Sequence, residues 1–217
     1  MAAAGGPPLD PGRPGSASLA DASMETLFLR SGALREGHFL LKSGRHSGRY
    51  LEKFFVLQYP SLAVEIGRRF AEALAPYDPT LVVGPTTGGV LLAFETARQL
   101  APRLAREVRG VFAEPVDGPA GRALRRGWPV APDERVVLVD DILTTGASLV
   151  ETARAVTDAG ASPLAAAVIV DRSAGLIPLD VPLHSLGRIE IPSWPAGACP
   201  LCREGLPLEK PGSSTPA

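Results

Sequence analysis

The sequence predicts an α/β fold, one domain with a central parallel sheet covered by helices on both faces. Three observations carry this. Leu81–Val83, Val136–Val139 and Leu164–Val170 are short, wholly apolar runs, as strands buried on both faces require. Segments of helical periodicity alternate with them. The length, 217 residues of which 45% are hydrophobic, suits one domain with a substantial core and is short for two.

In order, residues 1–23 are rich in Ala, Gly, Pro and Ser. They cannot bury enough apolar surface to offset their ordering entropy, and a disordered leader is expected. Their Pro/Gly content, with Asp10 and Asp21 against a single Arg, argues against a transit peptide. The domain is expected over residues 24–208. Met24–Leu34 reads as a helix with Ser23 as N-cap, followed by strands at His38–Lys42 and Tyr50–Val56. Ser61–Leu74 is helical, with Leu62, Ile66, Phe70 and Leu74 on one face. Strand Leu81–Val83, helix Gly89–Leu100, and strands Val108–Phe112 and Arg135–Asp140 come next. Helix Ser148–Ala159 ends at Gly160 and leads to strand Leu164–Val170. Residues 209–217 are expected to be a disordered tail. Ligands of parallel sheets bind beyond the carboxyl ends of the strands, so the loops after Val83, Phe112, Val139 and Val170 are where chemistry is sought.

The net charge of -1 supplies no global field for nucleic acid or an anionic membrane. No apolar run is long enough to span a bilayer, and the N-terminus lacks the apolar core of a secretory signal. Two cysteines are too few for a disulfide framework. A soluble cytoplasmic protein without nucleic-acid or membrane partners is expected.

The strongest motif runs from Val136 to Ser148. An aliphatic strand ends in Asp140 and Asp141, and a loop of Thr144, Thr145, Gly146, Ala147 and Ser148 opens a helix. Small residues let backbone N–H groups wrap an anion. The helix adds the positive end of its dipole, and the hydroxyls add donors. Each hydrogen bond to a charged phosphate is worth roughly 1.5–3 kcal/mol. The carboxylates accept from vicinal hydroxyls, which phosphates do not offer. The pattern fits a ribose 5-phosphate, with phosphate in the loop and diol on the acids. It lacks the Lys of a nucleotide-hydrolase loop and the three glycines of a dinucleotide fingerprint. The plain alternative is a strand-to-helix turn with two capping acids. A second strand-to-helix loop, Pro85-Thr86-Thr87-Gly88-Gly89, suits another anion, though alone it is an ordinary turn.

The string from Val136 to Ser148 closely resembles the PRPP-binding signature of the type I phosphoribosyltransferases. That resemblance implies the fold of that family: a central parallel sheet flanked by helices, with a small hood formed around Lys42 and the C-terminal region. It also implies that Asp140 and Asp141 bind the ribose hydroxyls, and Thr144–Ser148 the 5′-phosphate. The second loop resembles the family's pyrophosphate loop, with Gly88 where some members carry a Lys. Mg²⁺ is implied as cofactor, carried by PRPP with Asp140 or Asp141 nearby and no direct protein site. The chain from Gly37 to about Pro211 resembles one bacterial subgroup of orotate phosphoribosyltransferases. Its Gly37–Ser47 stretch matches their LKSGR-type segment and puts Lys42 at the substrates. Arg172, after Asp171 at a strand end, matches an orotate-contacting Arg, and Thr144 is placed at the same base. From the residues alone Lys42 reads as a solvated hairpin charge, and Arg172 as a surface partner of Asp171. The reaction implied joins orotate to PRPP, giving orotidine 5′-monophosphate and pyrophosphate in the synthesis of UMP.

Residues 114–127 form a long Gly- and Arg-bearing connection, the pattern of a mobile lid. By resemblance this loop reaches the neighbouring active site of a homodimer. It departs from the family in having no lysine and in having Pro115 where near relatives are basic. Arg122 and Arg125 join Asp140 and Asp141 as the catalytic candidates, with Arg126 a further charge; Arg125–Gly127 can equally open the next strand. Cys199-Pro200-Leu201-Cys202 has the spacing of half a zinc site. No second cysteine pair exists and His184 stands alone in the sequence, so completing the site would need a partner subunit; otherwise these are reduced thiols in a packed turn. Two other readings stay open, a phosphoribosyltransferase for a purine or uracil and a non-catalytic PRPP-binding regulator. Arg172 and the loop arginines favour the orotate enzyme, and the lysine-free loop favours the regulator.

Overall fold

The structure, a computed structural model, describes residues 19, 22–41, 43–118, 121–173 and 177–211. Helix α1 (Met24–Arg30) starts where the Thr26 N–H donates to Ser23 Oγ at 3.1 Å, as expected. Strands β1 (Leu34–Leu40) and β2 (His46–Leu51) form an antiparallel hairpin to which β9 (Ser193–Trp194) adds. This three-stranded sheet is the hood. The strand expected over Tyr50–Val56 is corrected: β2 stops at Leu51, and Phe54–Leu57 is a helical turn, α2. The turn lets Val56 and Leu57 enter the main core while Phe54 and Phe55 stay exposed, which a strand with alternating sides would not do.

Helix α3 (Pro60–Leu74) buries the predicted face. Strand β3 (Leu81–Pro85), helix α4 (Gly88–Leu104), strand β4 (Arg109–Pro115), the two-residue β5 (Arg122–Ala123), β6 (Arg135–Leu143), α5 (Ala147–Asp158), β7 (Ser162–Asp171) and β8 (Leu183–Ser185) build the main unit. A short helix, α6 (Pro200–Arg203), follows. The main sheet has the order β5-β4-β3-β6-β7-β8, parallel except for β4–β5. Both its faces are buried, as the apolar runs predicted. Val137 and Val139 of β6 face the side covered by α3 and α4, whereas Val136 and Leu138 face the side where Leu149 and Val156 of α5 pack.

Two expected boundaries move. Arg69 donates to the backbone carbonyls of Leu19 and Ala22, both at 2.8 Å, so these residues of the expected leader are bound to α3. The tail expected from residue 209 begins too early. Glu209 bridges Phe39, with Leu40 N–H donating to Glu209 O and Glu209 N–H to His38 O, each at 2.8 Å. The rest of both termini lies outside the described residues. None of the described helices is long and apolar enough to cross a membrane.

Candidate active site

After β3 the chain steps to β4 on one side, and β6 and β7 lie on the other. The strand order therefore reverses between β3 and β6, and a ligand crevice opens at the carboxyl ends of such a strand pair. The two loops singled out in the sequence, 85–89 and 140–148, are the ones that leave β3 and β6 there.

Asp140 and Asp141, at the end of β6, are both buried. Asp140 Oδ1 accepts the Asp141 N–H at 2.8 Å, and Oδ2 accepts Ser148 Oγ–H at 2.6 Å. Burial first, and the adjacent Asp141 second, push the Asp140 pKa from 3.8 up to about 6. Asp141 Oδ1 accepts the Ile142 N–H at 2.7 Å and Lys53 Nζ at 3.1 Å. Oδ2 lies 2.9 Å from Lys53 Nζ as an ion pair, yet is buried without an aligned donor. Two buried carboxylates thus face one half-exposed Lys, with one oxygen left to accept from a ligand. Lys53 was missed in the sequence because it fell inside a segment read as strand; its place just before α2 carries it to Asp141.

Gly88 opens α4 against the same carboxylate. A Cβ there would lie 2.2 Å from Asp141 Oδ2, so the second loop approaches the acids only because that residue has no side chain. The Thr86–Thr87 peptide is cis, and Thr87 is exposed. Gly146, at φ +78°, caps α5. A left-handed turn of this kind favours glycine, and it leaves the first amides of α5, which have no acceptor within the helix, beside the exposed Thr144 and Thr145.

Arg122 is on the edge strand β5, with a side chain only 14% exposed. Its Nη1 donates to Ala113 O at 3.2 Å and Thr86 O at 3.3 Å, and its Nε is 3.4 Å from Glu151 Oε2. It is therefore fixed to the second loop, not carried on a free lid. Arg125 is not brought to the acids within this chain; it lines a separate depression with Pro115, Val116 and Asp117. Nor do residues 125–127 start a strand, since β6 begins at Arg135 and Arg126 pairs with Glu114 at 2.6 Å. The base of the 114–127 connection is a hairpin, with Glu114 and Pro115 opposite Ala123 and Arg122. Residues 119 and 120 lie outside the described residues.

Arg172 follows β7, and its N–H donates to Leu143 O at 2.8 Å, one residue before Thr144. It is not the partner of Asp171, which instead accepts from Ser173 and lies 3.6 Å from Arg188. The Arg172 guanidinium has no acceptor among the described residues, and burial pulls its pKa below the usual arginine value. It lines a cleft of about 690 Å³ with Ser173, Arg188, Glu190 and Ile191. A half-buried guanidinium in a cleft has the geometry to receive a carboxylate as a bidentate partner. Lys42, the other expected base contact, lies outside the described residues.

Residues 57–201 match the model of the phosphoribosyl transferase domain family. The chain is 40% identical over 184 residues to an orotate phosphoribosyltransferase of Thermotoga maritima, covering 85% of this chain and 94% of that one. It is 43% identical over 187 residues to that of Caldicellulosiruptor bescii, covering 86% and 94%. The chain belongs to the orotate phosphoribosyltransferase family. The fold agrees: the orotate phosphoribosyltransferase of Mycobacterium tuberculosis superposes with a TM-score of 0.61 at 23% identity, over 76% of this chain and 95% of that one.

Completing the Cys199–Cys202 pair does not require the partner subunit that the sequence suggests: these cysteines have partners within the chain. His38 and His46 converge on them, all four ligand atoms within 4.8 Å of one another. His184 is elsewhere, at 2.9 Å from the Tyr77 hydroxyl.

Proposed function

We propose that the crevice between β3 and β6 transfers the phosphoribosyl group of PRPP to orotate, forming orotidine 5′-monophosphate and releasing pyrophosphate. The observation that carries this is the joining of three recognition elements at one sheet edge. Asp140 and Asp141 accept the ribose diol, the Thr144–Ser148 loop at the head of α5 receives the 5′-phosphate, and the unpaired Arg172 lies one backbone bond from that loop. The Pro85–Gly89 loop, braced by Arg122 through Thr86, receives the pyrophosphate. Arg172 and Thr144, with Lys42, hold the orotate.

In the reaction a ring nitrogen of orotate gives up its proton, to solvent or to the departing pyrophosphate, and bonds to the anomeric carbon as the bond from that carbon to the pyrophosphate oxygen breaks. The electron pair of the broken bond leaves with pyrophosphate. The developing cation needs no covalent nucleophile, and rate comes from positioning and charge stabilisation. Asp140 and Asp141 lie beside the ring that becomes cationic, and Lys53 holds the Asp141 carboxylate in place as its ion-pair partner at 2.9 Å. The hard carboxylate oxygens, with Asp141 Oδ2 lacking an aligned donor, fit Mg²⁺ arriving on PRPP, which would neutralise part of the pyrophosphate charge. Within one chain Arg125 stays away from the acids, and Leu91 and Phe94 on α4 are 50% and 67% exposed. Both observations favour a homodimer in which the 114–127 segment serves the neighbouring site.

The test is orotate consumption, followed by ultraviolet absorbance, with purified protein, PRPP and Mg²⁺. Loss of orotate only when all are present is expected. PRPP binding by calorimetry without turnover of orotate would move the assignment to another base or to a regulator.

A further inference from the structure

Both cysteines and two of the three histidines of the chain meet at one point in the hood. They come from three separate elements: His38 from β1, His46 from β2, and Cys199 and Cys202 from the start of α6. His38 Nε2 is 2.9 Å from His46 Nδ1, 3.5 Å from Cys199 Sγ and 3.6 Å from Cys202 Sγ, and Cys202 Sγ is 3.2 Å from His46 Nδ1. For zinc bonds of about 2.0–2.1 Å to nitrogen and 2.3 Å to sulfur, tetrahedral geometry separates ligand atoms by roughly 3.3–3.8 Å. The observed spacings of 2.9–3.6 Å fall within or slightly below that range. A single hydrogen bond between the imidazoles would account for the first distance, but not for two thiols closing on the same point.

The surroundings orient the ligands. His38 Nδ1 lies 2.8 Å from Leu206 O. A carbonyl accepts only, so Nδ1 carries the proton and Nε2 turns a lone pair to the cysteines, as metal-bound imidazoles do. A shift of register between Glu36 and Phe39 in β1 allows consecutive residues His38 and Phe39 both to be buried, one toward the sulfurs. Cys199 is 1% exposed. The hood also needs support. Its buried Phe39 belongs to neither hydrophobic cluster of the main unit, and three short strands seldom hold together on so little apolar surface.

We propose that His38 Nε2, His46 Nδ1, Cys199 Sγ and Cys202 Sγ bind one zinc ion within a single chain, and that this ion staples the C-terminal segment to the hood hairpin. Binding displaces the two thiol protons to solvent and changes no oxidation state. The site is closed by four protein ligands, so its role is structural. It is separate from the carboxylate site and from any Mg²⁺ there, because its soft sulfurs select a different metal.

The test uses the full chain purified without a metal-affinity tag. Mass spectrometry of the metals is expected to find about one zinc per chain after dialysis, with both thiols unreactive to Ellman's reagent until a strong chelator is added. Growth with cobalt is expected to give the absorption of tetrahedral thiolate-bound Co²⁺. Cys202→Ser is expected to lose the metal, and Cys202→His to regain it. On chelation, amide hydrogen exchange is expected to quicken in β1, β2 and residues 196–209 but not in β3, β6 or β7. Wild-type protein that holds less than about a tenth of an equivalent after zinc loading and dialysis, with thiols freely reactive or joined as a disulfide, would overturn the site. Exchange in the hood that ignores chelation would overturn its stapling role. These readouts need no catalysis, so they stand or fall apart from the orotate assignment.

Discussion

Asp140→Asn is expected to stabilise the ligand-free protein and to ruin its binding of PRPP. The wild-type carboxyl is buried beside Asp141, which lifts its pKa from 3.8 to about 6. The folded protein therefore binds that proton more tightly than the unfolded chain does. Between these two values the folded state holds more protons, so stability falls as pH rises through the window and stays low above it. About two pKa units at about 1.4 kcal/mol each put the total loss near 3 kcal/mol at pH 8, and about half of that is already incurred at pH 5.

Asparagine keeps the shape and stays neutral. Its Oδ1 can still accept from the Asp141 N–H, and Ser148, which now donates to Oδ2 at 2.6 Å, can rotate to accept from Nδ2. The assay is thermal unfolding of both proteins at pH 5 and pH 8, without ligand and with PRPP and Mg²⁺. Without ligand the gap in favour of the variant should widen by roughly 1.5 kcal/mol between the two pH values, about 3–6 °C in a chain of this size. With PRPP the wild type should gain stability and the variant should not. A gap that is constant with pH, or a variant less stable at pH 8 than at pH 5 relative to wild type, would refute the claim that the site stores unfavourable charge for its ligand.

Two further substitutions separate the ends of the site. Arg172→Ala removes a charged bidentate contact worth roughly 1.5–3 kcal/mol, so the orotate KM should rise about 10- to 150-fold while the PRPP KM moves little; equal effects on both would remove Arg172 from the base. Gly88→Ala places a methyl 2.2 Å from Asp141 Oδ2 and should weaken PRPP binding at least about tenfold. Gly197→Ala, where an added methyl meets nothing within 4 Å, should leave calorimetric PRPP binding unchanged, and an unaffected Gly88→Ala would show that Asp141 is free to move away.

What the sequence made legible was local. The aliphatic runs of β3, β6 and β7 declare themselves because burial on both faces leaves no polar position. The Asp-Asp-x-x-Thr-Thr-Gly string is legible because strand, turn and helix start are contiguous. Ser23 was readable as a cap for the same reason. The illegible parts depend on pairings remote in sequence. Lys53 meets Asp141 across 88 positions, and nothing near Lys53 announces it. Arg122 was read as a lid charge because the β4–β5 hairpin that folds it onto Thr86 is only two residue pairs long. His38 and His46 sat in a segment matched for its Lys, although two histidines flanking a hairpin tip, with a Cys-x-x-Cys pair downstream, form a recognisable half-and-half zinc pattern.

These remote contacts answer the question raised by the missing lysines. The 85–89 loop, proposed to receive the pyrophosphate, has Gly88 and no lysine, and the basic residues of the 114–127 connection are all arginine. Positive charge reaches the crevice instead from two other elements. Arg122 is anchored by three backbone and side-chain acceptors on β4 and the second loop, so it presents charge from a fixed position and forgoes mobility. Lys53 comes from the hood side, two residues after β2 ends, and β2 holds His46. A zinc ion on His46 would therefore hold the strand that leads into Lys53. By this chain of contacts the hood would contribute, through Lys53, to the electrostatics of the proposed crevice. Loosening it should weaken the Lys53–Asp141 contact directly, because that carboxylate, only 4% exposed, has Lys53 as its ion-pair partner among the described residues.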